Sequence, residues 1–480
     1  MYDLIVIGDD LSSHVSAAYA SGNGLNTLLI AESGLGGLNL ISDFIFNIDP
    51  TPITGLGREE PGLSVLIELG IVLPEDHASP LNTAFQIILP DQRIDFYSDP
   101  VLLQAELTRE FPELAQEIRD FYDSASDASD VFQNWLAEYP QLQPGNLREF
   151  FSYLKILPFI VRYKLSAVHF DKILTQNASL EKVWEAQQAL LSFNNDDLFS
   201  FGSAFQYCSP MRGVYFFPQG KQFLFNSLIE KIESNKGLYL NQYQVSSITR
   251  KKTIEVEIKS PDGAASTISG HNLIVSVKSD ALSLLQQRRK YFSLSDWLRP
   301  LKITYYPFTI FLGITQKCLP EQMARHVAVV SDVTKDLYDS NLIILETGLP
   351  DKDNSLTHAK TSLTATVFLP DQQEKWTPEA LKHEADSILE RLDVFFPFLK
   401  DHIEIFDIDK SINISSESRK VISPKYKVRN SLFTSFAAKN NKTFYDNVFL
   451  TGTSLLSDAG FDGEILSGKN AALRVLQKRS

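Results

Sequence analysis

The chain has 480 residues, 44% of them hydrophobic and 22% charged, enough for a large core and for roughly two to four domains. Its 59 acidic against 45 basic residues leave a formal charge of −14, so a nucleic-acid role has no electrostatic support. Two cysteines, Cys208 and Cys318, exclude a disulfide framework or a Cys-based metal site and fit a reducing compartment, and the eight histidines show no metal-ligand spacing.

The first apolar run, Leu4 to Ile7, ends at Gly8 and suits a strand buried on both faces. With that strand starting at Tyr2, no room for a signal peptide is expected before it. Ser12 to Ser21 carries Val15, Ala18 and Tyr19 at helical spacing and stops at Asn23-Gly24. Thr27 to Ala31 is a second strand, closed by Glu32. Residues 85–97 read as a hairpin around Pro90-Asp91. From Asp99 to about Asn194 the pattern is helical, with Asp/Ser-rich breaks at 123–130 and a Pro144-Gly145 break. Phe223 to Ile232 is a helix. Leu238–Leu240, Gln244–Thr249, Thr253–Ile258 and Asn272–Val277 are strands, with Asp262-Gly263 marking a hairpin turn. Residues 303–368 add further strands, and Thr377 to Phe396 is a helix opened by Thr-Pro-Glu. Last come the strand Asn447–Leu450, a turn at Gly452 and a helix opened by small residues. No apolar run reaches about 18 residues, so no spanning helix is expected, and the sequence reads as cytoplasmic, with peripheral membrane contact open.

Four stretches point to one family: the opening strand–helix–strand, Gly213-Val-Tyr-Phe-Phe-Pro218-Gln-Gly220 with its helix, the strands of 238–277, and the ending Gly452 to Ala472. In order and spacing they resemble bacterial phytoene desaturases, within the flavin amine oxidase-like superfamily. The resemblance implies an α/β fold. A Rossmann-like FAD/NAD(P)-binding domain would comprise 1–75, 205–280 and 425–480. An interleaved mixed-sheet substrate domain with a helical cap would take 76–204 and 281–424. It also implies FAD, and hydride abstraction from a long apolar, isoprenoid-like substrate.

The cofactor positions carried over from that family are Gly8, Asp10, Ser13, Glu32, Gly36, Gly37, Val245, Gly452, Thr453, Gly463 and Ser467. A diphosphate loop needs glycines for the tight turn, for close backbone approach and for helix packing. Here only Gly8 is kept; Asp10 and Ser13 stand at the second and third places. Asp10, or Asp9, has another use, since a carboxylate caps the free N–H groups of a helix start. Glu32 ends the second strand, where a ribose-binding acid belongs, and Val245 falls where the family holds adenine by backbone. Thr453 replaces the family's acid after Gly452; Asp462 replaces a proline, and Asn440-Asn441 an Arg-Pro pair. No catalytic residue and no metal ligand can be assigned.

Two functions stay open. One is an FAD-dependent oxidoreductase of phytoene desaturase type with an eroded cofactor site. The other is a non-catalytic protein on the same fold, holding a lipid, a prenyl group or a partner without flavin, as the related Rab GDP dissociation inhibitors do. The helix expected over 147–165, with Phe150, Phe151, Phe159 and the bases Lys155, Arg162 and Lys164, is either a buried cap helix or a membrane-surface element. Phe199, Phe201, Phe205, Tyr207 and Tyr215–Phe217 either line a tunnel for an apolar chain or belong to the core.

Overall fold

The structure is a computed structural model and describes residues 1–34, 36–74, 80–138, 147–195, 198–250, 252–286, 301–349, 359–419, 421–428, 441–443 and 445–479. In chain order the strands are β1 (Tyr2–Ile7), β2 (Thr27–Ala31), β3 (Leu38–Ile41), β4 (Phe44–Asn47), β5 (Thr83–Ile88), β6 (Arg93–Tyr97), β7 (Leu238–Asn241) and β8 (Gln244–Arg250). They continue as β9 (Ile254–Lys259), β10 (Ala265–Ser276), β11 (Leu301–Thr315), β12 (His326–Val330), β13 (Leu342–Thr347), β14 (Lys360–Pro370), β15 (Ile403–Phe406), β16 (Lys425–Val428) and β17 (Val448–Thr451).

Two sheets organise the molecule. In the first, β7, β2, β1, β10 and β17 run parallel, and β10 continues at its start into an antiparallel β10–β9–β8 meander. Leu4–Ile7 and Val448–Thr451 therefore flank the same strand, although some 440 residues separate them in the chain. Their continuous apolar runs fit strands covered on both faces. The second sheet has the order β15-β11-β14-β13-β12-β5-β6, with β16 on β11. The helix Pro378–Phe395 buries Leu381, Ala385, Ile388 and Leu392 against it, a stripe at helical spacing. The 425–480 segment starts in this second sheet, through β16, and enters the first only at β17.

One local expectation is corrected, and one left open is decided. The expected Asp/Ser-rich break at 123–130 is absent: one helix runs Ala115–Glu138. Its Phe121, Ala125, Ala128, Phe132 and Leu136 are buried at helical spacing, and this face outweighs the turn-favouring composition between them. The aromatic residues Phe201, Phe205, Tyr207, Tyr215 and Phe217 are core, buried among rings such as Phe121, Phe132 and Trp184. Pro144-Gly145 and Asn440 lie outside the described residues.

The helix over 147–165 extends from Leu147 to Leu174 and passes through Pro158. One face, with Ile156, Ile160, Tyr163, Ala167 and Phe170, is buried. The other exposes Phe151, Leu154, Leu157, Phe159, Val161, Leu165 and Val168. The helix is thus neither wholly buried nor amphipathic in the ordinary sense; both faces are apolar.

Candidate functional site

Parallel strands place their carboxyl ends on one edge of a sheet, and ligands of such folds bind there. That edge here carries Gly8, Ser276 and Gly452, the ends of β1, β10 and β17. Gly8 adopts φ 153°, and a Cβ built on it would stand 2.3 Å from Ser13 Oγ and 2.6 Å from Ser276 Cβ. The space opened by this glycine is therefore filled by the chain's own side chains.

Asp10 is fully buried and caps the helix Leu11–Gly22. Its Oδ1 accepts from Ser13 N at 3.1 Å and from Ser13 Oγ at 2.5 Å. Its Oδ2 accepts from Ser276 Oγ at 2.7 Å and lies 3.7 Å from Lys278 Nζ. Lys278 also stands 3.6 Å from Glu464 and donates to Val421 O and Ser423 Oγ. Burial raises the Glu464 carboxyl above its ordinary range, against the pull of Lys278. Asp9 turns away to accept from Ser33 N and Oγ, both at 2.8 Å. The helix start thus has an internal anion and an internal counter-ion where a diphosphate would need free N–H groups. The residues present do not fit a diphosphate at this turn.

The other carried-over positions are also engaged internally. Glu32 accepts from Ser279 Oγ at 2.5 Å. Gly37 N donates to Gln222 Oε1 at 2.7 Å, and a Cβ on Gly37 would meet Gln222 N at 2.6 Å, so this glycine allows the chain to lie against the helix Gln222–Ser234. A Cβ on Gly36 would strike the same Gln222 side chain. Val245 sits on β8 beside a β-bulge, two strands from β10. At the far end, Gly452 N donates to Ser467 Oγ at 3.0 Å, and Thr453 is buried with its hydroxyl 3.4 Å from that of Tyr426. Gly463 packs on Leu456 O and Gly468 on Ser12 O and Val15. The helix Gly460–Arg479 can thereby close onto Leu11–Gly22. Asp462 accepts from Gly62 N at 3.1 Å and is pushed up to about 6 by burial. Asn441 Nδ2 donates to Leu450 O.

So the structure brings Gly8, Asp10, Ser13, Gly452 and Ser467 to one edge, joined by residues the sequence did not single out: Ser276, Lys278 and Glu464. A lysine two residues beyond the buried strand Leu273–Ser276 was the available signal.

A separate chamber of about 370 Å³ opens between β4 and the second sheet, walled by Phe44, Ile45, Phe216, Pro218 and Leu349 and floored by Asn47, Glu346, Ser362 and Thr364. Beyond its floor lies a recess of about 20 Å³ bordered by Asn47, Glu346, His326, Gly220 and the Lys221–Asp49 pair. Among the described residues no cluster of His, Cys, Asp or Glu could hold a metal ion.

No protein-family model and no curated protein sequence matches the chain. Solved structures do match it in fold. Cyclohexylamine oxidase from Brevibacterium oxydans superposes with a TM-score of 0.53 at 12% identity, over 100% of this chain and 99% of its own. An oxidoreductase from Methanosarcina mazei gives 0.55 at 13%, over 99% of both chains. Rab GDI from Plasmodium falciparum gives 0.51 at 11%, over 100% of this chain and 98% of its own. The chain shares its fold with these solved structures, two of which are oxidoreductases. Rab GDI shares the architecture.

Proposed function

We propose that this chain works by holding a ligand on an oxidoreductase fold, without passing electrons through FAD. The observation that carries the proposal is Asp10. Its buried carboxylate takes the Ser13 N–H and hydroxyl at the helix start, with Lys278 beside it, so a diphosphate would meet a like charge in a buried setting. The glycines kept from the family are explained by packing against Gln222, Leu456, Ser12 and Val15. The fold of Rab GDI is in keeping with a binding role.

The rival reading is an FAD-dependent oxidoreductase on a long apolar, isoprenoid-like substrate. The whole-length match to two oxidoreductases favours redox chemistry. The chamber favours a smaller ligand, since about 370 Å³ lies at the low end of small-molecule sites. One experiment separates the two: the visible absorption of the purified protein, before and after incubation with FAD and gel filtration. The expected result is no stoichiometric flavin in the parent, and at least tenfold tighter FAD binding after Asp10→Gly with Ser13→Gly. A yellow parent protein with one flavin per chain overturns the binding reading.

We also propose peripheral membrane contact through the helix Leu147–Leu174. Its outward Phe151, Leu154, Phe159, Val161 and Leu165 stand beside exposed Lys155 and Arg162, a combination suited to an anionic lipid interface. Among the described residues no helix is long and apolar enough to cross a membrane.

A further inference from the structure

Away from the helix start at Asp10, two buried carboxyl groups share one cation. Glu60, just before the helix Pro61–Glu68, is 3% exposed, and Asp462, in the first turn of the helix Gly460–Arg479, is 1% exposed. Arg212, at the end of the short helix Ser209–Arg212, places Nε 2.9 Å from Glu60 Oε1. Its other nitrogens donate to Ser129 Oγ, Phe205 O and Ser209 Oγ, and the guanidinium lies over the Phe205 ring. Asp462 instead accepts from Gly62 N at 3.1 Å and from Thr54 Oγ1 at 3.5 Å. Glu60 Oε2 is buried and has no hydrogen-bond partner. With both carboxyls ionised, one guanidinium faces two anions, and an excess negative charge stays buried.

The surrounding elements do not relieve that excess. The helix Ala115–Glu138 adds Asp130, a further negative charge. Burial raises the Tyr215 phenol and the Cys208 thiol, so both stay neutral. Lys221, over the Phe461 ring, is paired with Asp49, and Arg58 and Glu59 are exposed. The chain between the two acids is closed around Asp462. A Cβ on Gly55 would overlap the Asp462 carboxylate, and one on Gly62 would stand 2.9 Å from its Oδ1. Leu63 N donates to Gly55 O at 2.8 Å, and Glu59, not a glycine, holds φ 72° in the left-handed region. The segment follows Ile53, which is bridged to Tyr215, and the next residue, Phe216, walls the chamber. At the far end of the helix Pro61–Glu68, Glu68 is tied to Lys469 at 2.7 Å.

We propose that the Glu60–Asp462 pair is a pH-sensitive latch: protonated, it holds residues 54–62 closed on the helix Gly460–Arg479, and deprotonated, it releases them into water about the Lys469–Glu68 end. Burial, the largest influence, raises both carboxyls, Glu60 to about 7 and Asp462 to about 6. Arg212 pulls both down, while Asp462 and Asp130 push Glu60 further up. Both values stand above the ordinary 4.5 and 3.8, so the closed form keeps its protons longer than the open one. Its advantage is full below 3.8 and is lost as pH rises through 6 and 7.

The test is hydrogen exchange of the full chain read by mass spectrometry at pH 5.5 and pH 8, each amide rate divided by its intrinsic rate at that pH. Protection over residues 61–66 should fall at least about tenfold between the two pH values. The strand Tyr2–Ile7 should keep its protection. Glu60→Gln with Asp462→Asn keeps an acceptor for Arg212 and for Gly62 N but cannot titrate, and it should abolish the fall. Glu60→Gln alone, which leaves Asp462 in place, should reduce the fall at least about threefold. Equal protection of the parent at both pH values overturns the proposal. An undiminished fall in either variant does so too, as does a fall shared by the strand Tyr2–Ile7, which is global loosening and not a latch.

Discussion

Replacing Asp10 by Ala removes the cap of the helix Leu11–Gly22 and the acceptor of two buried hydroxyls, Ser13 Oγ and Ser276 Oγ. The lost cap is worth about 1 kcal/mol. The hydroxyls lose hydrogen bonds to a charged partner in a buried setting, worth about 2 kcal/mol more. Lys278 is not orphaned by the change, because Glu464, Val421 O and Ser423 remain beside it, so the larger penalty of a stranded buried charge does not apply. The expected loss is therefore about 3 kcal/mol for Asp10→Ala. Asp10→Asn keeps an equally good cap and one acceptor, and should lose about half of that. The same substitution relieves Glu464 of a neighbouring negative charge, so its raised carboxyl should fall. The assay is urea unfolding of parent, Asn and Ala forms followed by circular dichroism, reading the first transition. Equal stability of the Ala and Asn forms, or a loss below about 0.5 kcal/mol in Ala, refutes the view that Asp10 is a structural anion at this helix start.

Glu346 should impose a pH dependence of its own. Its folded value of about 7 stands above the ordinary 4.5, so the native state holds the proton longer, and the stability it gives is full below 4.5 and lost as pH rises through 7. Melting curves of the parent and Glu346→Gln should diverge over that window; parallel curves from pH 4.5 to 7.5 count against the assignment. Gly220 has φ 49°, and a Cβ on it would lie 2.0 Å from Asn47 Oδ1, so Gly220→Ala should cost about 1 kcal/mol in backbone strain and displace Asn47 from Glu346. A crystal structure of that variant with Asn47 unmoved sinks the second half of the prediction. For the helix Leu147–Leu174, Phe151→Asp with Phe159→Asp should abolish flotation with anionic liposomes while leaving the melting temperature within a few degrees, both side chains being exposed. Unchanged flotation, or none by the parent, removes the membrane proposal.

Much of the framework was legible in the sequence because it rests on local periodicity. Leu4–Ile7, Thr27–Ala31 and Leu273–Ser276 are apolar runs closed by small or polar residues, and such runs specify buried parallel strands wherever they lie in the chain. The capping role of Asp10 was also legible, because a carboxylate before a helix has a local use three residues on. Composition misled at 123–130, where Asp and Ser are turn residues in isolation but Asp123, Ser126, Asp127 and Asp130 face solvent on a helix whose other side, Ser129 included, is buried. Only the tertiary structure decided what surrounds Asp10, since Ser276, Lys278 and Glu464 come from distant segments that meet at the carboxyl edge of the sheet. It alone showed that Gly37 packs against the start of the helix Gln222–Ser234, because a glycine's missing Cβ is informative only when the atom opposite is known. It alone revealed Glu346, whose partners on β12, β14 and β4 are fixed by strand register, a quantity set by pairing across the sheet and not by the spacing of residues along one chain segment.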